Sequence, residues 1–311
     1  MFGFQNIFKG IATMLDGDLQ ITGSASFKRE NWKTHFDSRK FQIGFGPDDV
    51  RTEGGNGSVT ERNGTLSNDI LDVFANYIKD FGNHRINLIG GYNQESYEYG
   101  TVTAQKNNLI SSSLPYQALT SGDAFVFNRY DSYATRSFFG RVNYTLHDRY
   151  IFEANGRYDG SPRFPASNRW GFFPSVSGAW IASAEPFMKS ITRYLPTLKL
   201  RASYGDMGNQ NVGYFDYLQT LPTGLSSYLI GGNRQTVIES SPSLNINPAN
   251  YTWERVSTAN FGADVGLLRD RLTLSMDYFI RNTKDMLTVG QELPGVLGTR
   301  VPSLKRRRLA D

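Results

Sequence analysis

The chain has 311 residues and a formal charge of +4, with 39% hydrophobic residues, 31 Gly, 21 Phe, 17 Tyr and 4 Trp. This length suits one large or two ordinary domains, and the aromatic- and glycine-rich balance, with a mean hydropathy of −0.43, favours strands and turns over helices. No run of about 18 predominantly apolar residues is present, which excludes a helical membrane span. The absence of cysteine excludes disulfides, thiol catalysis and cysteine metal sites.

The first residues, Met1-Phe2-Gly3-Phe4-Gln5-Asn6, carry no basic segment followed by an apolar one, so no secretory signal is visible and an exported protein would have its true start elsewhere. Strands are predicted near 18–29, 68–79 and 84–97. Asp16-Gly17-Asp18 lacks the later ligands of a calcium loop and reads as the turn before the first of these. A long connection rich in Ser, Asn, Pro and Tyr follows over 100–129. Alternation then sharpens: Val142, Tyr144 and Leu146 stand against Arg141, Asn143, Thr145 and His147.

His147-Asp148-Arg149 reads as a tight turn into a strand at 150–159, and another strand is predicted over 171–182. Leu198, Leu200, Ala202 and Tyr204 alternate with Lys199, Arg201 and Ser203 before a second long connection, 206–250. A strand at 257–268 then turns at Arg269-Asp270. The cleanest pattern comes next, with Leu272, Leu274, Met276, Tyr278 and Ile280 on one face and Thr273, Ser275, Asp277 and Phe279 on the other.

About ten strands result, with short turns at one end and long loops at the other, the asymmetry of an outer-membrane barrel. A soluble β-sandwich alternates too, so alternation alone leaves both architectures open. Aromatics near strand ends, at Tyr150, Phe152, Tyr158, Phe172, Phe173, Trp180, Tyr278 and Phe279, favour the barrel because interfacial girdles place them there.

A longer ordered series begins at Tyr158-Asp159-Gly160-Ser161-Pro162-Arg163-Phe164 and Asn168-Arg169-Trp170-Gly171-Phe172-Phe173-Pro174-Ser175, followed by Trp180 and Glu185-Pro186-Phe187. It continues through Leu198-Lys199-Leu200-Arg201-Ala202-Ser203-Tyr204-Gly205, Gly208-Asn209-Gln210, Trp253-Glu254, Asn260, Gly262, Asp264 and Asp277-Tyr278-Phe279 to Thr283-Lys284-Asp285-Met286-Leu287. The series resembles the barrel of the SusC/RagA family of TonB-linked outer-membrane proteins.

The resemblance implies an all-β, antiparallel, up-and-down transmembrane barrel, here about ten strands of a 22-stranded one, with no plug domain or TonB box recognisable. Residues 1–300 are expected to be partial barrel. Residues 301–311, with Lys305-Arg306-Arg307-Arg308, lose alternation and family character and are expected to be an atypical tail, from a frameshift or truncation. The implied function is active import of oligosaccharides or peptides in a Gram-negative outer membrane, in the Bacteroidota. A SusD-like lipoprotein would be the partner, and TonB-ExbB-ExbD would supply energy through N-terminal regions not in this chain. The alternatives are a passive porin or structural barrel, and a secreted carbohydrate-binding β-sandwich.

No enzyme motif, cofactor loop or metal-binding spacing is present; His35, His84 and His147 are read as lumen, loop or strand-end residues, and no coherent basic face suggests nucleic acid. Arg163, Arg169 and Trp170 are the candidate substrate contacts, since aromatic and guanidinium groups suit sugars. Gly160, Pro162, Pro165 and Gly171 also give this segment a structural reading as a strand–loop–strand connection with Trp170 as an interfacial anchor, and that reading is favoured.

Overall fold

A computed structural model describes residues 1–214, 217–218, 223–225, 236–238, 251–289, 303–306 and 309–310. Most of the predicted connection 206–250 therefore lies outside the described residues, as do Arg307 and Arg308 of the tail. The described chain is an antiparallel meander. Its strands are β1 (Phe2–Met14), β2 (Leu19–Ser38), β3 (Phe41–Gly44), β4 (Val50–Glu53), β5 (Ser58–Phe81), β6 (His84–Asn107), β7 (Ala124–Leu146), β8 (Tyr150–Gly160), β9 (Trp170–Ile181) and β10 (Thr197–Asn209). After β11 (Thr223–Leu225) and β12 (Thr236–Ile238) come β13 (Glu254–Leu267), β14 (Leu272–Lys284), β15 (Met286–Val289), β16 (Ser303–Arg306) and β17 (Leu309–Ala310).

One sheet of eleven strands runs β1-β2-β5-β6-β7-β8-β9-β10-β13-β14-β17, while β3-β4, β11-β12 and β15-β16 form separate two-stranded sheets. The short tail strands β16 and β17 pair with Met286–Val289 and with Asn282 and Thr283, respectively. The predicted strands are all present, and most run longer than predicted, β9 (Trp170–Ile181) matching the predicted length. β5 and β6 run to 24 residues each, more than twice the roughly 9–11 that a barrel strand needs to cross hydrocarbon.

The expected loop at 100–129 shrinks to 108–123 because β6 continues through Thr101, Thr103 and Gln105, where neither phase is consistently apolar and periodicity gives no signal. β1 went unpredicted for a related reason. Phe2, Phe4 and Phe8 share one phase, but Ile7 and Ile11 occupy the other, so no alternation stands out.

The described residues fall into two compact units. The first comprises Met1–Gly10, Gly23–Asp72 and Gln94–Ala134. Within it the connection 108–123 is tied to the β4–β5 link by backbone bonds from Asn108 N to Gly57 O (3.0 Å) and Leu109 N to Asn56 O (2.9 Å). Arg29 and Asp69 form an ion pair, and Tyr97 stacks on Tyr133 with ring centroids 5.0 Å apart.

The second unit comprises Ile11–Thr22, Val73–Asn93 and Thr135–Asp311. It contains the tight turns at residues 15–18, 82–83, 147–149 and 268–270. His147 and Asp148 both adopt left-handed backbone (φ 52° and 55°), the geometry of the twist-matched two-residue hairpin turn, and Arg149 N closes it onto Leu146 O at 3.0 Å.

Register aligns the two phases of this unit across six strands. Val142 faces Ala154, Ala154 faces Val176, Val176 faces Tyr204, Tyr204 faces Ala259, and Ala259 faces Ile280. One residue along, the row reads Arg141, Asn155, Ser175, Gly205, Thr258 and Arg281. The apolar row is not covered by protein: Val142, Val176, Tyr204 and Ile280 are 45%, 46%, 51% and 43% exposed. A sandwich would bury that face against a second sheet.

The buried hydrophobic cluster lies instead at the long-loop end. Phe164, from the 161–169 loop, packs with Phe173 of β9 and with Tyr251 and Trp253 just before β13, and Val212 and Tyr217 lean against them. The Phe173 ring fits because Gly171 and Gly208 flank it; a β-carbon would lie 2.5 Å from the ring at Gly171 and 2.1 Å at Gly208. Two glycines of the family-like series thus have a packing reason. Because Phe164 is completely buried, Phe164→Ala is expected to destabilise the folded protein by about 3–5 kcal/mol in urea unfolding. A loss below about 1 kcal/mol would show that these loops do not fold onto β9 as a packed cap.

Candidate functional site

The polar face of the second unit carries a connected set of charges. Arg201 of β10 reaches across two strands: its guanidinium pairs with Asp264 of β13 at 3.2 Å and with Asp277 of β14 at 2.9 Å, and donates to Ser275 Oγ at 3.2 Å. Ser275 in turn donates to Asp264. Nearby, Glu153 accepts from Asn155 (2.8 Å) and Asn143 (3.2 Å), and Arg141 donates to the Asn155 carbonyl (2.8 Å). On the opposite phase, two residues beyond Tyr204 toward the long-loop end, Asp206 accepts from Ser257 (2.7 Å) and pairs with Arg255 (3.0 Å).

Between the first two groups lies a recess of about 280 Å³ lined by Asn143, Glu153, Ser177, Lys199, Arg201 and Asn260, among others. The Asn260 carbonyl oxygen there has no hydrogen-bond partner among the described residues. This is a polar, charge-bearing surface, able to meet polar solutes through hydrogen bonds. Among the described residues no group of His, Cys, Asp or Glu could hold a metal ion.

The three residues singled out from the sequence are sequence neighbours with different surroundings. Arg163 donates to the Val212 carbonyl and, at 2.9 Å, to the Tyr214 hydroxyl, with its guanidinium 4.1 Å from the Tyr214 ring centre, so it joins the 161–169 loop to the segment after β10. Trp170 stacks on Tyr158 (4.8 Å) and lies 6.3 Å from Phe138, on the apolar face. Arg169 holds the loop through its backbone, its carbonyl accepting from Ser161 N (3.1 Å) and the Trp253 indole (3.2 Å), while its side chain is exposed.

Sequence reasoning missed the grouping of Arg201 with Asp264 and Asp277. All three stand on the polar phase of their strands. Their meeting depends on register, which the β13–β14 turn sets for the aspartates but which no local pattern sets between β10 and β13. The histidines sit at a strand, a strand end and a turn. His35 lies near Glu61 and Asp37 in β2, His84 Nδ1 is 2.6 Å from the Tyr144 hydroxyl at the start of β6, and His147 forms the β7–β8 turn.

At the short-turn end, Glu185 in the β9–β10 connection gathers three donors: the Tyr150 hydroxyl at 2.6 Å, the Trp180 indole at 3.1 Å and the Arg149 guanidinium at 3.3 Å. Tyr150 and Trp180 are direct cross-strand partners on the apolar face. The carboxylate therefore clamps the end of that face.

A family model for the β-barrel of TonB dependent receptor-like proteins matches residues 6–306. The chain belongs to the TonB-dependent receptor β-barrel family. Its relatives place it with the SusC/RagA type. It is 35% identical over 242 residues to the TonB-dependent receptor SusC of Bacteroides thetaiotaomicron, a match covering 75% of this chain and 22% of that protein. With TonB-dependent receptor P3 of Formosa agariphila it shares 32% identity over 258 residues, covering 81% of this chain and 25% of that one. The fold matches a structure of the RagAB peptide transporter with a TM-score of 0.79, at 23% identity over 98% of this chain and 32% of that chain. The chain thus spans about a quarter of the length of the curated relatives it matches.

Hydrogen bonding from Tyr150 first, then from Trp180, with the positive charge of Arg149 assisting, holds the Glu185 carboxyl below the ordinary carboxylate range. A carboxylate depressed in the native state adds stability in full above its unfolded value of about 4.3, and that stability is lost as pH falls toward the native value. Accordingly Glu185→Gln is expected to lower the urea midpoint at neutral pH, and the gap to wild type should narrow on acidification below about pH 4.3. A gap that is constant or widens on acidification would show that Glu185 is not a charged clamp.

Proposed function

We propose that this segment forms part of the wall of an outer-membrane importer that takes up oligosaccharides or peptides too large for passive pores. In this reading a SusD-like surface lipoprotein delivers the substrate, and TonB-ExbB-ExbD supplies the energy through regions outside this chain. The apolar phase faces outer-membrane lipid and the polar phase faces the lumen, with no catalytic role for either. The observation that carries the proposal is the six-strand register: it sets an exposed apolar row beside a row holding Arg141, Asn155, Ser175 and Arg281, the arrangement of a lipid-facing wall around a polar interior. Membership in the TonB-dependent receptor family supports active import, and the fold neighbour described as the RagAB peptide transporter supports peptides as one of the two substrate classes.

Of the three candidate contacts, Arg169 fits substrate best in this reading because its side chain is exposed beside the loops of the long-loop end. Arg163 and Trp170 serve the wall, as loop tie and interfacial anchor. A passive porin would share the two-faced sheet, so the deciding experiment removes the energy source. A strain lacking this gene should lose growth on the polymeric nutrient but keep growth on its monomers, and loss of TonB should have the same effect. Growth that survives loss of TonB but not loss of the gene would establish the porin.

The orientation of the faces is tested separately in the membrane-assembled protein. Met276→Arg puts a charge into lipid and should cost about 2–4 kcal/mol, whereas Ser177→Arg, opposite Glu153 on the polar face, should cost far less. Equal costs in urea unfolding would reject the assignment.

A further inference from the structure

We propose that the β9–β10 connection, residues 182–196, is a membrane-surface anchor lying in the phospholipid headgroup boundary at the short-turn end. The inference rests on the lipid-facing reading of the sheet and extends it to a segment that is not a strand. This connection is far longer than the other short turns, and it is built from two 3-10 turns, Ala182–Ala184 and Pro186–Met188, followed by further hydrogen-bonded turns. Thr192 N donates to Met188 O at 3.1 Å and Leu195 N to Ile191 O at 2.9 Å, with tighter bonds from Ile191 N to Met188 O and Tyr194 N to Ile191 O, both 2.9 Å.

These turns carry three large apolar side chains, Phe187, Ile191 and Tyr194. These three are 65%, 44% and 66% exposed, whereas Met188, next to Phe187 in the chain, is 7% exposed and packs inward. Lys189 and Arg193, interleaved with these residues, are exposed as well.

Exposed aromatic and aliphatic side chains beside a pair of cations suit a segment lying in a membrane interface, with rings entering the acyl boundary and cations meeting phosphate. Two contacts make this patch continuous with the apolar face. Glu185, at the start of the segment, accepts from Tyr150 and Trp180, which close that face at this end. At its far end Leu268 N donates to Tyr194 O at 3.3 Å, beside the exposed Leu268 side chain of the β13–β14 turn. A lipid surface fits this patch better than a soluble protein, because the same hydrocarbon boundary that covers Tyr150 and Trp180 continues over it, and the flanking charge suits anionic headgroups.

This chain has no cysteine, so after replacement of any cysteine elsewhere in the receptor single thiols can be spin-labelled in it. In the full-length receptor, placed in bilayers of phosphatidylethanolamine and phosphatidylglycerol, labels at Phe187→Cys, Ile191→Cys and Tyr194→Cys should collide with oxygen several-fold more than with a water-soluble nickel chelate. An Arg193→Cys label should show the reverse order, and Met276→Cys serves as the lipid-facing reference. If the nickel chelate reaches the patch as readily as it reaches position 193 while Met276→Cys reads as lipid, the anchor is overturned and the barrel reading stands. Water-like behaviour at Met276→Cys as well would overturn both.

Should a cysteine variant fail to assemble, hydroxyl-radical footprinting of the unaltered receptor in lipid discs gives the same decision. Phe187 and Tyr194 should oxidise several-fold more slowly than Tyr116, an exposed residue of the 108–123 connection. Equal oxidation of Tyr194 and Tyr116 overturns the proposal.

Discussion

Backbone amides and carbonyls that enter hydrocarbon have no water to bond, so each must find a partner within the protein, and a strand satisfies this only beside another strand. That constraint makes the long antiparallel meander necessary and lets the rest of the molecule depart from soluble-protein rules. With backbone pairing provided by the ladder from β1 to β14, the two faces are free to differ, and side-chain burial is not what holds the sheet together. The exposed apolar row through Val142, Val176, Tyr204 and Ile280 would be a liability in water. Against lipid it is the stabilising surface. The same constraint asks that the free edges of the two outermost strands be paired, as they are in a closed barrel.

Packing of the ordinary kind is confined to where the ladder stops. Phe164, Phe173, Tyr251 and Trp253 form a small aromatic core that caps β9 and packs the loops onto it. At the opposite end, Glu185 ties Tyr150 to Trp180 and fixes the start of the β9–β10 connection. Between these ends the polar face is cross-linked by charge. Arg201 holds Asp264 and Asp277 together, so the strands β10, β13 and β14 are fastened by side chains as well as by backbone. Such pairs along a wet face are individually worth about 0–1 kcal/mol, and their larger effect is to keep a charged surface ordered around a polar space.

What could be read from the residues follows from this physics. β14 was plain because its five apolar residues, Leu272 to Ile280, all fall on one exposed phase. The upper reach of β6 was missed because, past Tyr97, Thr101, Thr103 and Gln105 on one phase and Gly100, Val102, Ala104 and Lys106 on the other leave neither phase consistently apolar, and periodicity cannot register such a strand. β1 was missed because its apolar residues occupy both phases. The aromatic cap joins Phe164 to Tyr251 and Trp253 across more than 80 intervening residues in which no local rule applies. The ordered series from Tyr158 to Leu287 identified the family all the same, since glycines such as Gly171 and Gly208 and the clamp residue Glu185 are fixed by packing that the local pattern does not reveal.

The central claim is that one phase of these strands faces lipid and the other a polar lumen, and a thiol scan along β14 tests it most directly. Single cysteines placed at each position from Leu272 to Arg281 in the full-length receptor would be reacted, in intact outer membranes, with a water-soluble, membrane-impermeant thiol reagent. The account predicts labelling with period two: residues 273, 275, 277 and 279 react, while 272, 274, 276, 278 and 280 are protected. Uniform labelling of both phases, or labelling of the even positions alone, would contradict it.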